Sequence, residues 1–189
     1  NDAVGRSEEK SDRHTIVEIG STREDVPGQG STVQLAECAH SHGMHFVTVD
    51  MDPHNTSEAE TSVQAIDGEF EAINAKGEDF LRTYDGRIDY VFLDAYDFDH
   101  GKHSELRQSR YRKFLGSEIS DADCHRMHLE CAQTLVDKLS EDGVICIDDT
   151  WQDDSGAWTA KGTLAVPYLL EHRFRVVDAR NRAVLLKRA

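Results

Sequence analysis

The sequence predicts an α/β fold: a doubly wound, mostly parallel sheet of seven strands that closes with a C-terminal antiparallel hairpin. Three observations carry this reading. Short apolar runs alternate with amphipathic stretches along almost the whole chain, the pattern of β-α units in series. Each of the first five runs ends in acidic or amide residues, as strands do when they open onto a ligand-binding edge. The last two runs are joined by too few residues for a crossover, so they must pair antiparallel.

The elements follow in order. Thr15 to Ile19 reads as the first strand. Ser31 or Thr32 can cap a helix to about His42, with Leu35, Ala36 and Ala39 on one face. "HFVTVD" (45–50) is rich in β-branched residues and makes the second strand. Pro53 stops it, and Thr56 or Ser57 can cap a helix through about Ile66. "FEAIN" (70–74) is the third strand and "GEDFLRTY" (77–84) a short helix. "IDYVFLD" (88–94) is apolar enough for a central strand. A long insertion with one helix from about Ser104 follows. Asp121 or Asp123 then caps a helix to Leu139 whose apolar face carries His128, Cys131, Ala132, Leu135, Val136 and Leu139. "VICID" (144–148) is the fifth strand, and a helix at about 161–171 precedes the hairpin strands "RFRVVDA" and "RAVLLKR".

The 189 residues suit one core, organised as a polar N-terminal extension (1–13) and a single domain (14–189). No run is long enough to span a membrane, and the polar start has no apolar signal region. None of the four cysteines forms a C-x-x-C pair, which fits reduced thiols and a cytoplasmic location. The first residue is Asn rather than Met, which fits a parent multidomain protein; a homodimer is the other assembly considered. A formal net charge of −15 repels phosphate backbones and anionic membranes, so the expected partner is a small-molecule substrate, with no nucleic acid and no membrane.

Chemistry is expected where the strands end. Asp50, at the end of the second strand, can accept hydrogen bonds from both hydroxyls of a ribose, and Met51 can pack on an adenine face. Asp94, Asp148 and Asp149 gather carboxylates at the ends of the fourth and fifth strands.

In this order, "VEIGS", "VTVDMDP", "FEAINAKGEDFL", "IDYVFLDA" and "GVICIDDT" resemble the class I S-adenosylmethionine-dependent methyltransferases over about residues 14–188. The resemblance implies a Rossmann-like domain and S-adenosylmethionine as cofactor. Glu18, Gly20, Ser21, Thr22 and Arg23 would then face its methionine end. Asp50 and Met51 would meet the ribose and adenine, and Ala75, Lys76 and Gly77 the adenine. Asp94 would lie near the amine and the reacting methyl. "FLDA" with "IDDT" is similar to the metal-dependent, catechol-type O-methyltransferases, which implies Mg²⁺ or another divalent cation on Asp94, Asp148 and Asp149 and an oxygen acceptor. Their lysine base, three residues after the first Asp, is replaced by Asp97. His100 and His103 are the nearby imidazoles able to take a proton, with Asp94 beside them.

Lys102, Arg107, Arg110, Arg112 and Lys113 form a basic cluster in this acidic chain, read as a solvated helix face or an anion site. Trp151 and Trp158 line a substrate pocket or close the rim. Two other functions are weighed against methyl transfer. A nicotinamide-dependent oxidoreductase would need the G-x-G-x-x-G that the first loop lacks. A non-catalytic module of a larger protein would have no reason to keep all four carboxylates.

Overall fold

The computed structural model describes residues 13–21 and 30–189. Seven strands form one sheet in the order β3-β2-β1-β4-β5-β7-β6. They are β1 (Thr15–Ile19), β2 (His45–Asp50), β3 (Phe70–Asn74), β4 (Ile88–Leu93), β5 (Leu139–Ile147), β6 (Phe174–Arg180) and β7 (Ala183–Arg188). The helices are α1 (Ser31–Ser41), α2 (Pro53–Val63), α3 (Gly77–Thr83), α4 (Glu105–Leu115), α5 (Asp121–Lys138) and α6 (Gly162–Glu171). The first five strands pair parallel, while β7 runs antiparallel to both β5 and β6, so the hairpin folds back and inserts its second strand against the sheet. β4 is the middle strand.

The pleat sorts the side chains onto two faces. Ile16 and Phe46 pack with Ala36, Ala39 and Val63 under α1 and α2. Val17, Val47, Val91 and Ile145 pack with Leu81, Met127, Leu135, Val166 and Leu169 under α3, α5 and α6. Burying one such large apolar side chain contributes ~2 kcal/mol. Parallel strands covered on both sides are mostly apolar, and every residue of β1 is buried, Thr15 and Glu18 included.

Several boundaries differ from the sequence expectation, each for a local reason. α2 begins at Pro53, because Asp52 caps it by accepting from His54 N at 3.0 Å. It ends at Val63 rather than near Ile66. Neither Ser31 nor Thr32 is the N-cap of α1; Gly30 is, and both hydroxyls are drawn to the Glu18 carboxylate instead. β5 starts at Leu139 rather than Val144, since Leu139 pairs with Ile88 before a register shift restarts the ladder at Val144 opposite Tyr90. β4 and β5 end one residue before Asp94 and Asp148, which leaves both carboxylates in the loops beyond the edge.

Candidate functional site

The carboxyl edge of β1, β2 and β4 opens into a pocket lined by Gly20, Ser21, Asp50, Met51, Asn55, Ala75, Gly77 and Asp94, among others. Gly20 has φ +98, and a Cβ there would lie 2.6 Å from Ala95 N. Only glycine allows the β1 loop to cross so close to the end of β4. Ser21 is buried, its hydroxyl 2.7 Å from Thr48 Oγ1. Thr22 and Arg23 lie outside the described residues.

Glu18 does not line the pocket. Its fully buried carboxylate accepts hydrogen bonds from Ser31 Oγ, Thr32 Oγ1 and Thr48 Oγ1 at 2.6–2.8 Å, tying β1 to β2 and to the start of α1. Burial outweighs those bonds and raises its pKa to about 7.

At the end of β2, Asp50 Oδ1 accepts from Asp52 N at 2.8 Å and from Asn55 Nδ2 at 3.2 Å. Asn55 is buried, and its Oδ1 has no hydrogen-bond partner. A buried amide oxygen without a donor, beside a carboxylate in a pocket, suits a ligand that brings hydroxyl donors. Met51 and Ala75 supply apolar surface, and Gly77 packs on Ile19. Lys76 is the N-cap of α3 and stands outside the lining.

The roof of the pocket comes from the insertion. Arg107, Arg110, Tyr111 and Phe114 of α4 line it. Arg110 Nε lies 3.5 Å from Asp52, Arg107 Nε lies 3.2 Å from Asp97, and Tyr111 donates to Asp97 Oδ2 at 3.0 Å. The basic cluster thus divides: Arg107 and Arg110 face the pocket, whereas Arg112 pairs with Glu105 and Glu118 on the outer face. Asp97, at the position of the missing lysine base, anchors α4.

The ends of β4 and β5 bring Asp94, Asp148 and Asp149 together, with one carboxylate oxygen from each within 4.8 Å of the others. Sequence reasoning missed what sits among them. Lys161, just before α6, is 1% exposed. Its Nζ donates to Asp94 Oδ1 and to Asp94 O (3.1 Å), and lies 3.3 Å from Asp149 Oδ2. Burial alone would lower its pKa, but Asp94 and Asp149 reverse the sign, so it stays charged. Arg182 approaches Asp149 Oδ1 at 3.2 Å. Asp148 has no ion pair among the described residues, and burial, then Asp94, raises its pKa. Tyr96, Asp149 and Ala160 all have left-handed backbones (φ 47, 44 and 51), a strain concentrated around this cluster.

This arrangement does not fit the divalent ion expected on the three aspartates. Two of the three carboxylates are already neutralised by cations. A second positive charge about 4 Å from the Lys161 ammonium would be repelled by about 4 kcal/mol in a partly buried site, and a doubly charged ion by twice that.

Of the two imidazoles, His103 lies 3.9 Å from the Asp99 carboxylate, outside the three-aspartate cluster. His103 Nε2 is 3.0 Å from Phe98 O, and its ring packs 3.9 Å from that of His100. His100 instead joins Phe98, Lys102, Trp151 and Arg182 around a second, open cleft. There Arg182 lies 4.3 Å over the Trp151 ring, which meets Phe98 edge-on. Trp158 packs against the core. His128 is buried, with Nδ1 bonded to Cys124 O at 2.8 Å and Nε2 unpartnered; burial lowers its pKa to about 3, which makes it neutral.

No protein-family model and no curated protein matches the sequence. Solved structures do match. A ribosomal protein L11 methylase from Lactobacillus delbrueckii subsp. bulgaricus is 14% identical with a TM-score of 0.53, covering 98% of this chain and 76% of that one. An rRNA methylase from Streptococcus thermophilus is 14% identical with a TM-score of 0.53, over 96% of this chain and 90% of that one. A methyltransferase-type protein from Streptococcus mutans, solved in complex with SAH, is 10% identical with a TM-score of 0.56, over 95% and 90%.

The rRNA methylase overturns one expectation. Net charge does not exclude nucleic acid from this fold, nor does it select a small-molecule substrate. The physical reason is that net charge averages over the whole surface, while binding follows the local potential, and here Arg107, Arg110 and Arg182 all gather at the site edge. None of these three structures bears on the catechol type. At these identities the likeness establishes the fold, and the fold is that of the class I S-adenosylmethionine-dependent methyltransferases.

Proposed function

We propose that this chain binds S-adenosylmethionine in the β1–β2–β4 pocket and transfers its methyl group to an acceptor entering over the β4–β5 edge. The observation that carries the reading is the Asp50–Asn55 pair, a carboxylate beside an orphaned amide oxygen, both buried at the end of β2 in this strand order. Asp50 and Asn55 accept from the ribose hydroxyls. Met51 and Ala75 flank the adenine, and Gly20 and Ser21 face the methionine end. When bound, the cofactor supplies an electrophilic methyl on a cationic sulfonium. Asp94 lines the same pocket, held in place by the Lys161 ammonium.

On the acceptor side, the cleft of Phe98, His100, Lys102, Trp151 and Arg182 is aromatic and cationic. That chemistry suits a planar acceptor attached to negative charge, a nucleotide included, its base meeting the aromatic rings and its phosphate the cations. In this reading the acceptor's proton goes to Asp148, a carboxylate with no ion pair among the described residues whose proton affinity is raised by burial and by Asp94.

Thermal unfolding with S-adenosylhomocysteine tests the reading. At a hundredfold excess over Kd the gain is about 2.7 kcal/mol, a rise of roughly 5–10 °C in Tm for a chain of this size. A rise with NAD and none with S-adenosylhomocysteine would replace the reading with the oxidoreductase.

A further inference from the structure

The misfit between the aspartate cluster and a divalent ion has a simple physical explanation. We propose that Lys161 is the resident cation of the β4–β5 cluster, standing where a metal would otherwise bind, so that the site is metal-free and acquires a metal only when this lysine is removed. The proposal concerns the cluster itself and holds whatever the pocket beside it binds.

Two observations, each with its physical consequence, support it. The three carboxylates come close enough to share one cation, with ligand atoms within 4.8 Å of one another. Three carboxylates that close need a positive partner to remain ionised together. Lys161 provides it with its donors directed inward: Asp94 Oδ1, Asp94 O and the Asp149 Oδ2 side, from a side chain that is 1% exposed. A lysine so buried is rare unless it is paired in this way.

The backbone is also built to deliver it. Lys161 N donates to Asp149 O at 3.3 Å, which closes the whole β5–α6 loop onto its own origin. Asp149 and Ala160, at the two ends of that loop, both carry left-handed φ. Gly162 then packs directly on Thr150, where a Cβ would collide with the threonine methyl. Finally, the bond to the Asp94 main-chain oxygen, in addition to the side chain, fixes the loop after β4 rather than merely neutralising it. That makes Lys161 a positioning residue for Asp94, performing the orienting part of a metal's work through hydrogen bonds. Magnesium would demand six oxygens at about 2.0–2.1 Å, and the ammonium already holds the Asp94 and Asp149 oxygens that would be among them.

The test is a Mn²⁺ titration of the full chain, reading free Mn²⁺ by electron paramagnetic resonance, with no cofactor present. Wild type should leave the free signal undiminished into the millimolar range. Lys161→Ala should bind one Mn²⁺ at least tenfold more tightly than wild type, and adding Asp148→Asn should remove that binding. One Mn²⁺ bound by wild type and lost with Asp148→Asn would overturn the proposal, as would a folded Lys161→Ala protein that binds no more tightly than wild type. If Lys161→Ala is unfolded alone, the proposal requires Mn²⁺ to restore its circular dichroism, and failure to do so also counts against it. A null result with S-adenosylhomocysteine would leave all of these outcomes readable.

Discussion

The two halves of the carboxyl edge are built differently. On the β1–β2 side, Asp50 Oδ1 accepts from groups only two and five residues away, Asp52 N and Asn55 Nδ2. On the β4–β5 side, Asp94 finds its partner 67 residues away, at Lys161. The first half is a local motif, a strand end turning into a capped helix. The second is assembled only when α6 docks on the sheet. The difference teaches that a strand-end carboxylate announces a site but does not announce its counter-ion.

The largest effect expected from this contrast is at Lys161. Replacing it with Ala removes the buried partner of Asp94 and leaves Asp149 with Arg182 alone. By analogy with other broken buried pairs this costs about 3–5 kcal/mol of unfolding free energy, measured by urea denaturation. A loss under 1 kcal/mol would mean that the cluster is wet and the lysine incidental.

Glu18 gives an intermediate effect and a defined pH dependence. Its folded pKa of about 7 lies above the unfolded value of 4.5, so the folded state holds the proton more tightly. Its contribution to stability is therefore complete below the unfolded value and is lost as pH rises through about 7. Glu18→Gln, which cannot ionise, should gain about 2 kcal/mol relative to wild type between pH 5.5 and pH 8. Urea denaturation at both pH values checks this, and a constant difference would mean that the three hydroxyls hold the carboxylate ionised throughout.

The smallest effect separates two neighbours on α4. Arg110, which faces the pocket, should on substitution by Ala weaken S-adenosylhomocysteine binding several-fold. Arg112, which points outward to Glu105 and Glu118, should leave it unchanged. Calorimetric titration of both variants gives the comparison, and equal losses would show that α4 as a whole, rather than its inner face, shapes the pocket.

Much of the fold was legible in the sequence because periodicity and hairpin length are local properties. The strand sequence and the antiparallel close could be read from Thr15 to Arg188 before any contact was known. Boundaries slipped where tertiary contacts compete with local signals: Glu18 takes the hydroxyls that would have capped α1, and pairing with Ile88 extends β5 back to Leu139. In the candidate site, Gly20, Ser21, Asp50, Met51, Ala75, Gly77 and Asp94 line the pocket, whereas Glu18 and Lys76 have structural tasks. Asn55 was hidden because an asparagine inside a helix has no pattern of its own, while Arg107 and Arg110 were visible as part of a basic cluster whose two faces the sequence could not separate. Lys161 had one indirect signal: three carboxylates at two adjacent strand ends require a cation from somewhere. Reading that requirement as a metal was chemically sound, yet the chain meets it with its own side chain.

The central claim is that the pocket at the end of β2 holds S-adenosylmethionine through Asp50. Calorimetric titration of the full chain with S-adenosylhomocysteine, wild type against Asp50→Ala, tests it most directly. The account predicts one molecule bound per wild-type chain and an affinity loss of about 10- to 100-fold in the variant, the worth of a charge-assisted hydrogen bond. Folded wild type that gives no binding, or a variant that binds as well as wild type, would contradict it.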